Sequence, residues 1–252
     1  MLRGFPAQVH LSHCAARFGL AGPPPDLEKN LKPQISNLKQ SHLPLLLDSI
    51  KNIIFDFGGV ICDLHPQRCL DAFRQLGCTI SMFPTQYSQF EGVFKQIDRG
   101  EITTLQFYDA IRQQGQVPTA TNEQIRQAWL SVLGDIPEER FQAFSRLRRT
   151  HRLYILSNAN DIHWQYLSRE RMNYRGQSTL PWFTHIFLSY EMHLEKPEPE
   201  IYQAVLRQAA INAGETLFID DNQPNLDAAA RLGYRTLLST GGDWVDKLLP
   251  LK

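Results

Sequence analysis

The segment Lys51-Asn52-Ile53-Ile54-Phe55-Asp56-Phe57-Gly58-Gly59-Val60-Ile61 constrains this chain more than any other. An apolar, β-branched run stops at a carboxylate, and glycines follow at once. A run without polar alternation reads as a strand buried on both faces, the pattern of a parallel sheet covered by helices. Such sheets bind ligands beyond the carboxyl ends of their strands. Glycines there let backbone N–H groups approach an anion closely. A carboxylate at the tip can serve as a nucleophile, a metal ligand, or both. Taken alone, Asp56 fits a turn-starting aspartate equally well.

Later segments change that balance. Leu153-Tyr154-Ile155-Leu156-Ser157-Asn158 is a second apolar run, ending in a hydroxyl and an amide. Lys196-Pro197-Glu198-Pro199 sets a lysine just before a helix start, and Leu217-Phe218-Ile219-Asp220-Asp221-Asn222 is a buried run ending in paired acids. Carboxylate, hydroxyl, ammonium and diacid thus follow one another at strand ends. Singly, each has a plain structural role. Ser157, Asn158 and the two acids can cap helices, and Lys196 can be a solvated loop residue. Asp63 and His65 either line a pocket mouth or end a loop. His163 and Trp164 read as helix surface and packing, and Glu91 as a weak candidate for substrate contact.

Lys and Arg number 26 and Asp and Glu 26, so the net charge is zero and no electrostatic case exists for nucleic acid or membrane. Cys14, Cys62, Cys69 and Cys78 lack metal-ligand or disulfide-framework spacing. They read as free thiols of a reducing, cytoplasmic compartment. No apolar run approaches the ~20 residues that cross a bilayer. The expected partner is a small molecule, and the expected state a monomer or homodimer. Residues 1–49 carry the Pro23-Pro24-Pro25 break and no sustained periodicity, so a poorly ordered extension is expected. Arg3 and Arg17 without an acid between them give this region a faint likeness to a transit peptide.

From Leu153 onward strands alternate with helices, predicting parallel pairing through right-handed crossovers. The expected strands are Leu153–Leu156, His185–Leu188, Thr216–Ile219 and Arg235–Leu238, joined by the first at Ile53. Between them lie helical stripes: Cys69, Leu70, Phe73 and Leu76; then Phe83, Tyr87, Phe90, Phe94 and Ile97; then Leu105, Tyr108 and Ile111 behind Thr103-Thr104. A capping box at Thr121 and Gln124 opens the next, and Pro137 starts a helix with Phe141, Phe144 and Leu147. The division expected is an α/β core over 50–65 and 150–252, with a helical cap over 66–149 above the strand tips, where a lid belongs.

These motifs, in this order, resemble the haloacid dehalogenase-like superfamily, mostly phosphatases. The version at Asp56-Phe57-Gly58-Gly59-Val60 is similar to the branch containing bacterial α-glucose-1-phosphate phosphatases. So is the stretch from Phe90-Glu91-Gly92 to Arg99-Gly100-Glu101-Ile102. The resemblance implies a Rossmann-like sheet with an inserted all-helical cap, and a nucleophilic Asp56 that forms an aspartyl-phosphate. It implies phosphate binding by Ser157, Asn158 and Lys196. It also implies Mg²⁺ held by Asp56, Asp220 and Asp221, with the backbone carbonyl of Gly58. A hard, oxygen-preferring ion suits carboxylates that would otherwise repel a phosphate dianion. Many phosphatases of this superfamily carry an acid two residues after the nucleophile, where this chain has Gly58. Without that acid, esters with good leaving groups, such as sugar 1-phosphates, are expected to react faster than sugar 6-phosphates. Two alternatives stay open: a metal-free 2-haloacid dehalogenase, and a non-catalytic regulator binding a phosphorylated ligand.

Overall fold

The structure is a computed structural model describing residues 48–79 and 92–249. In chain order the strands are β1 (Asn52–Phe55), β2 (Arg152–Ser157), β3 (Asn173–Tyr174), β4 (Gln177–Ser178), β5 (His185–Leu188), β6 (Thr216–Asp220) and β7 (Arg235–Leu238). Five of them form one parallel sheet in the order β5-β2-β1-β6-β7, and β3 and β4 form a separate small hairpin. β1 and β6 are buried at every position, which their unbroken apolar runs demand and a central place provides. The chain builds outward from β1 through β2 to β5, then returns across β1 to β6 and β7. The order reverses between β1 and β6, and open sheets bind ligands at such a point. Asp56 follows β1 directly and Asp220 ends β6, so both acids stand at that reversal.

The helices are α1 (Pro66–Gln75), α2 (Val93–Asp98), α3 (Thr104–Gln114), α4 (Asn122–Leu130), α5 (Glu138–Leu147), α6 (Asp161–Tyr166), α7 (Ser189–Met192), α8 (Pro199–Ala209), α9 (Gln223–Arg231) and α10 (Trp244–Leu248). One sheet face packs Ile54, Tyr154, Leu156 and Phe218 against α8 and α9; the other packs Ile53, Phe55 and Ile219 against α5 and α10. A third cluster joins α1 to α4 around Phe94, Phe107 and Trp129, whose ring centroids lie 5.1–5.7 Å apart. Full capping boxes start α3 at Thr103 and Gln106 and α4 at Thr121 and Gln124.

Two helical expectations need correction. The block expected to run as cap to residue 149 loses its last helix. In α5, Phe144 packs 5.1 Å from both Phe55 and Trp244, on the sheet. Periodicity reports an apolar stripe but not the surface that it meets. Leu105 does not face the core and is 63% exposed; Phe107 takes the inward place on α3. The hairpin β3–β4 was not foreseen, being too short to show alternation. Residues 1–47, with Pro23–Pro25 and Cys14, lie outside the described residues, as do Phe83, Tyr87, Phe90 and Glu91.

The helical block meets the core along a polar seam. Asn160 caps α6 through its side-chain oxygen, donates to Asp98 of α2 (2.8 Å), and lies 3.2 Å from Nδ1 of His163. His163 stacks on Trp129 with centroids 4.6 Å apart, and its Nε2 lies 3.1 Å from the Trp129 carbonyl. Gly100 has φ +65°, and a side chain there would strike the Tyr190 carbonyl, so glycine sets how closely the two parts approach.

Candidate active site

β1 delivers Asp56 to the sheet edge, and its N–H still bonds the Ile219 carbonyl (2.8 Å), extending the ladder to the strand tip. Its carboxylate is oriented: Oδ1 accepts from the Phe57 N–H (2.6 Å) and from Lys196 Nζ (2.8 Å). Oδ2 has no hydrogen bond among the described residues, and Asp56 lines the cavity. Lys196 also donates to Asp220 Oδ2 (2.7 Å). Its main chain is pinned as firmly, because the Asn158 side chain accepts from Lys196 N–H and donates to its carbonyl, both at 2.9 Å.

Asp220 is fully buried behind this lysine. Its Oδ1 accepts from the Asn222 N–H (2.8 Å), and Asn225 Nδ2 donates to both oxygens (3.0 and 3.1 Å). Asp221 is the exposed member of the group. Gly59, at φ +75°, has room for no side chain, because one would collide with Oδ2 of Asp221. The second glycine of the motif thus makes space for a carboxylate.

These charges do not balance. Ligand atoms of Asp56, Asp220 and Asp221 lie within 4.8 Å of one another, with Lys196 as the cation among them. Burial pushes the Asp56 carboxyl up to about 8, against the pull of Lys196 and with help from Asp220 and Asp221. Desolvation and then Asp220 raise Asp221 to about 6. Burial works against the Lys196 ammonium, but Asp220 and Asp56 outweigh it and raise its pKa. Three oxygen ligands in excess of one ammonium, with no sulfur or nitrogen in the group, suit a hard divalent cation.

A cavity of about 660 Å³ opens over the group. Asp56, Gly58, Ser157, Asn158, Lys196 and Asp221 line its floor; Leu64, Lys95, Asp98 and Glu195 contribute walls. Ser157 is buried, and its hydroxyl makes a long bond (3.4 Å) to the Asn158 carbonyl. On the cap side Lys95 pairs with Glu195 (2.7 Å), and Arg99 bridges Glu101 and Glu198 (2.9 and 2.7 Å). Burial pushes the Asp98 carboxyl up to about 7, the Asn160 hydrogen bond opposing.

The sequence-predicted residues therefore converge, with two refinements. Asp220 stands behind the cavity wall, and the Asn158 side chain faces Lys196. Asp63 and His65 do not line the cavity. Asp63 pairs with the buried Arg140 (2.7 Å), and His65 sits against Gly134. Leu64, between them, turns inward, and its Cδ1 lies 2.9 Å from where a β-carbon on Gly58 would stand. Asn225, Asp98 and Leu64 were missed. A position five residues past Asp220 at a helix start could have flagged Asn225; no local signal marks the other two.

A model of the haloacid dehalogenase-like hydrolases matches residues 50–233. The D-ribitol-5-phosphate phosphatase of Bacteroides thetaiotaomicron is 29% identical over 202 residues, covering 79% of this chain and 97% of the relative. The sesquiterpene phosphatase astK of Aspergillus oryzae is 27% identical over 73% of this chain and 87% of its own length. Among solved structures, a HAD family enzyme of B. thetaiotaomicron, in complex with magnesium and inorganic phosphate, superposes with a TM-score of 0.73 at 38% identity, covering 77% of this chain and 95% of that one. With strand order, motif residues and family model in agreement, the chain belongs to the haloacid dehalogenase-like hydrolase family.

Proposed function

We propose that this hydrolase is a Mg²⁺-dependent phosphatase of small polyhydroxylated esters, sugar or polyol phosphates, working through an aspartyl-phosphate on Asp56. The observation that carries this reading is Asp56 itself: one oxygen is held by Phe57 N–H and Lys196, the other has no hydrogen bond among the described residues, and the residue lines the cavity. Oδ2 attacks phosphorus, and the P–O bond to the alcohol breaks with its electron pair left on the ester oxygen. That oxygen takes a proton from water, since Gly58 offers none. A water molecule then attacks the phosphorus of the aspartyl-phosphate, restoring the carboxylate and releasing inorganic phosphate.

Asp56, Asp221 and the Gly58 carbonyl would hold the cation, with Asp220 behind them accepting from Lys196. Bound there, Mg²⁺ offsets the negative charge of the carboxylates and of the phosphoryl oxygens. Lys196 supplies the fixed positive charge against the phosphoryl group; the Ser157 hydroxyl and the N–H groups near Phe57 and Asn158 orient it. We read α1 to α4, about residues 66–136, as the cap, since these helices share a cluster of their own. The carboxylate cluster has no use in a metal-free dehalogenase, and the relatives named as phosphatases support phosphate esters.

The test is phosphate release from a panel of esters with Mg²⁺ and with excess EDTA, in wild type and Asp56→Asn. Release that needs Mg²⁺ and vanishes in the variant is expected. Release indifferent to EDTA, or a variant near wild type, removes the mechanism.

A further inference from the structure

Two relatives of this chain are named for alcohols of opposite character, a polyol and a terpenoid. One buried side chain in the cavity bears on which kind this site takes. Asp98, the last residue of α2, is 7% exposed and lines the same cavity as Asp56. Its Oδ1 accepts from Asn160 Nδ2 (2.8 Å), and its Oδ2 has no hydrogen bond among the described residues. Its neighbours on the wall are already engaged with each other, Lys95 with Glu195 at 2.7 Å. That oxygen is open to the cavity, and an apolar chain packed against it would strip its solvation without supplying a donor. A hydroxyl group supplies the missing donor.

Building on the phosphatase reading, we propose that Asp98 is a specificity-determining residue, whose Oδ2 accepts a hydrogen bond from a hydroxyl of the substrate's alcohol part. The site then selects phosphate esters of polyols or sugars over alkyl and prenyl phosphates. Asn160 fixes the direction of the reading. It must donate to one oxygen of Asp98, which leaves the other for the ligand. The cap helix thus carries the selector, while the sheet edge carries the chemistry.

The experiment compares kcat/KM for D-ribitol 5-phosphate and n-pentyl phosphate, esters of equal chain length, in wild type, Asp98→Asn and Asp98→Leu. Asparagine keeps the volume and, with its oxygen turned to Asn160, presents N–H groups where the substrate met an acceptor. Assayed at pH 8, where the Asp98 carboxyl is ionised, the ribitol-to-pentyl ratio should fall roughly tenfold in Asp98→Asn and about 10- to 100-fold in Asp98→Leu, the worth of a hydrogen bond to a charged group. A merely structural role, holding the cap through Asn160, lowers both substrates together and leaves the ratio where it was; that result overturns the assignment. If Asp98→Leu fails to fold, the ratio in Asp98→Asn decides alone. A wild type that prefers pentyl phosphate overturns the polyol reading and this inference with it. A wild type that prefers ribitol phosphate with an unmoved ratio in the variants overturns this inference alone.

Discussion

The substitution Asp56→Asn should make the metal-free protein more stable. Asp56 is a buried carboxylate that shares Lys196 with Asp220 and faces Asp221. Its carboxyl is pushed from the ordinary value of 3.8 up to about 8, burial first and the two acids adding to it. The sign follows from linkage. A group whose pKa is raised by folding favours the native state below its unfolded value, and that support is lost as pH rises towards the folded value. From pH 4 to 7 the loss is on the order of a few kcal/mol. Asp56→Asn removes that penalty and keeps an oxygen for the Phe57 N–H and Lys196. It weakens the bond to the ammonium, and charge-assisted bonds contribute about 1.5–3 kcal/mol. The net expectation is a gain of about 1–3 kcal/mol at pH 7, several degrees in Tm for a domain of this size. Thermal melts in EDTA, at pH 5 and pH 7, measure it. The gain should be larger at pH 7, and saturating Mg²⁺ should stabilise wild type more than the variant. A variant that melts at or below wild type at both pH values would refute the charge argument.

Other consequences are open to direct test. Lys196→Ala should lower kcat by about 10²–10³, the effect of losing one preorganised electrostatic group; a loss under about threefold would return Lys196 to an incidental role. Gly58→Asp combined with Leu64→Ala, which clears the space beside it, should speed esters with poor leaving groups by at least about tenfold and leave good ones little changed. A uniform change across a series of graded leaving-group pKa would show that no proton donor had been installed. His163, buried against Trp129, is held well below its ordinary value, at about 4, because burial disfavours the imidazolium. Its contribution is complete above the unfolded value near 6.5 and is lost as pH falls towards 4. The stability difference between wild type and His163→Gln should therefore shrink by about 2–3 kcal/mol between pH 7.5 and 4.5. Urea unfolding at the two pH values checks it, and a constant difference would place a charge-tolerant environment around the ring.

The strand-tip residues were legible because a fully buried strand has a strong local signature, and the sheet then brings its tips to one edge. Asp56, Ser157 and Asp220 needed nothing more than β1, β2 and β6 to meet. The capping boxes at Thr103 and Thr121 were likewise local. What could not be read depends on contacts between distant segments. The amide of Asn158 turns to the backbone of a residue 38 positions away, and Asn160 reaches Asp98 across 62. Asp98 looks from sequence like the polar end of an amphipathic helix, and it is buried by contacts with distant segments, Asn160 at the start of α6 and Ser189 of α7. Helix α5 carries a stripe much like those of α1 to α4, so its place on the sheet depended on which aromatic partners, Phe55 and Trp244, were near in space.

The bonds of Lys196 also bear on how the sheet edge comes apart. Its backbone is tied to Asn158 just beyond β2, and its ammonium to Asp56 beyond β1 and to Asp220 at the end of β6. These are the three adjacent central strands. Strand ends normally fray one at a time, each at small cost. Here none of the three tips can leave without breaking a bond to the same residue, so the edge opens as a unit. Amide protons at Asp56, Lys196 and the β6 terminus should exchange together, and loss of catalysis in mild denaturant should coincide with that exchange, ahead of the unfolding of the rest of the sheet.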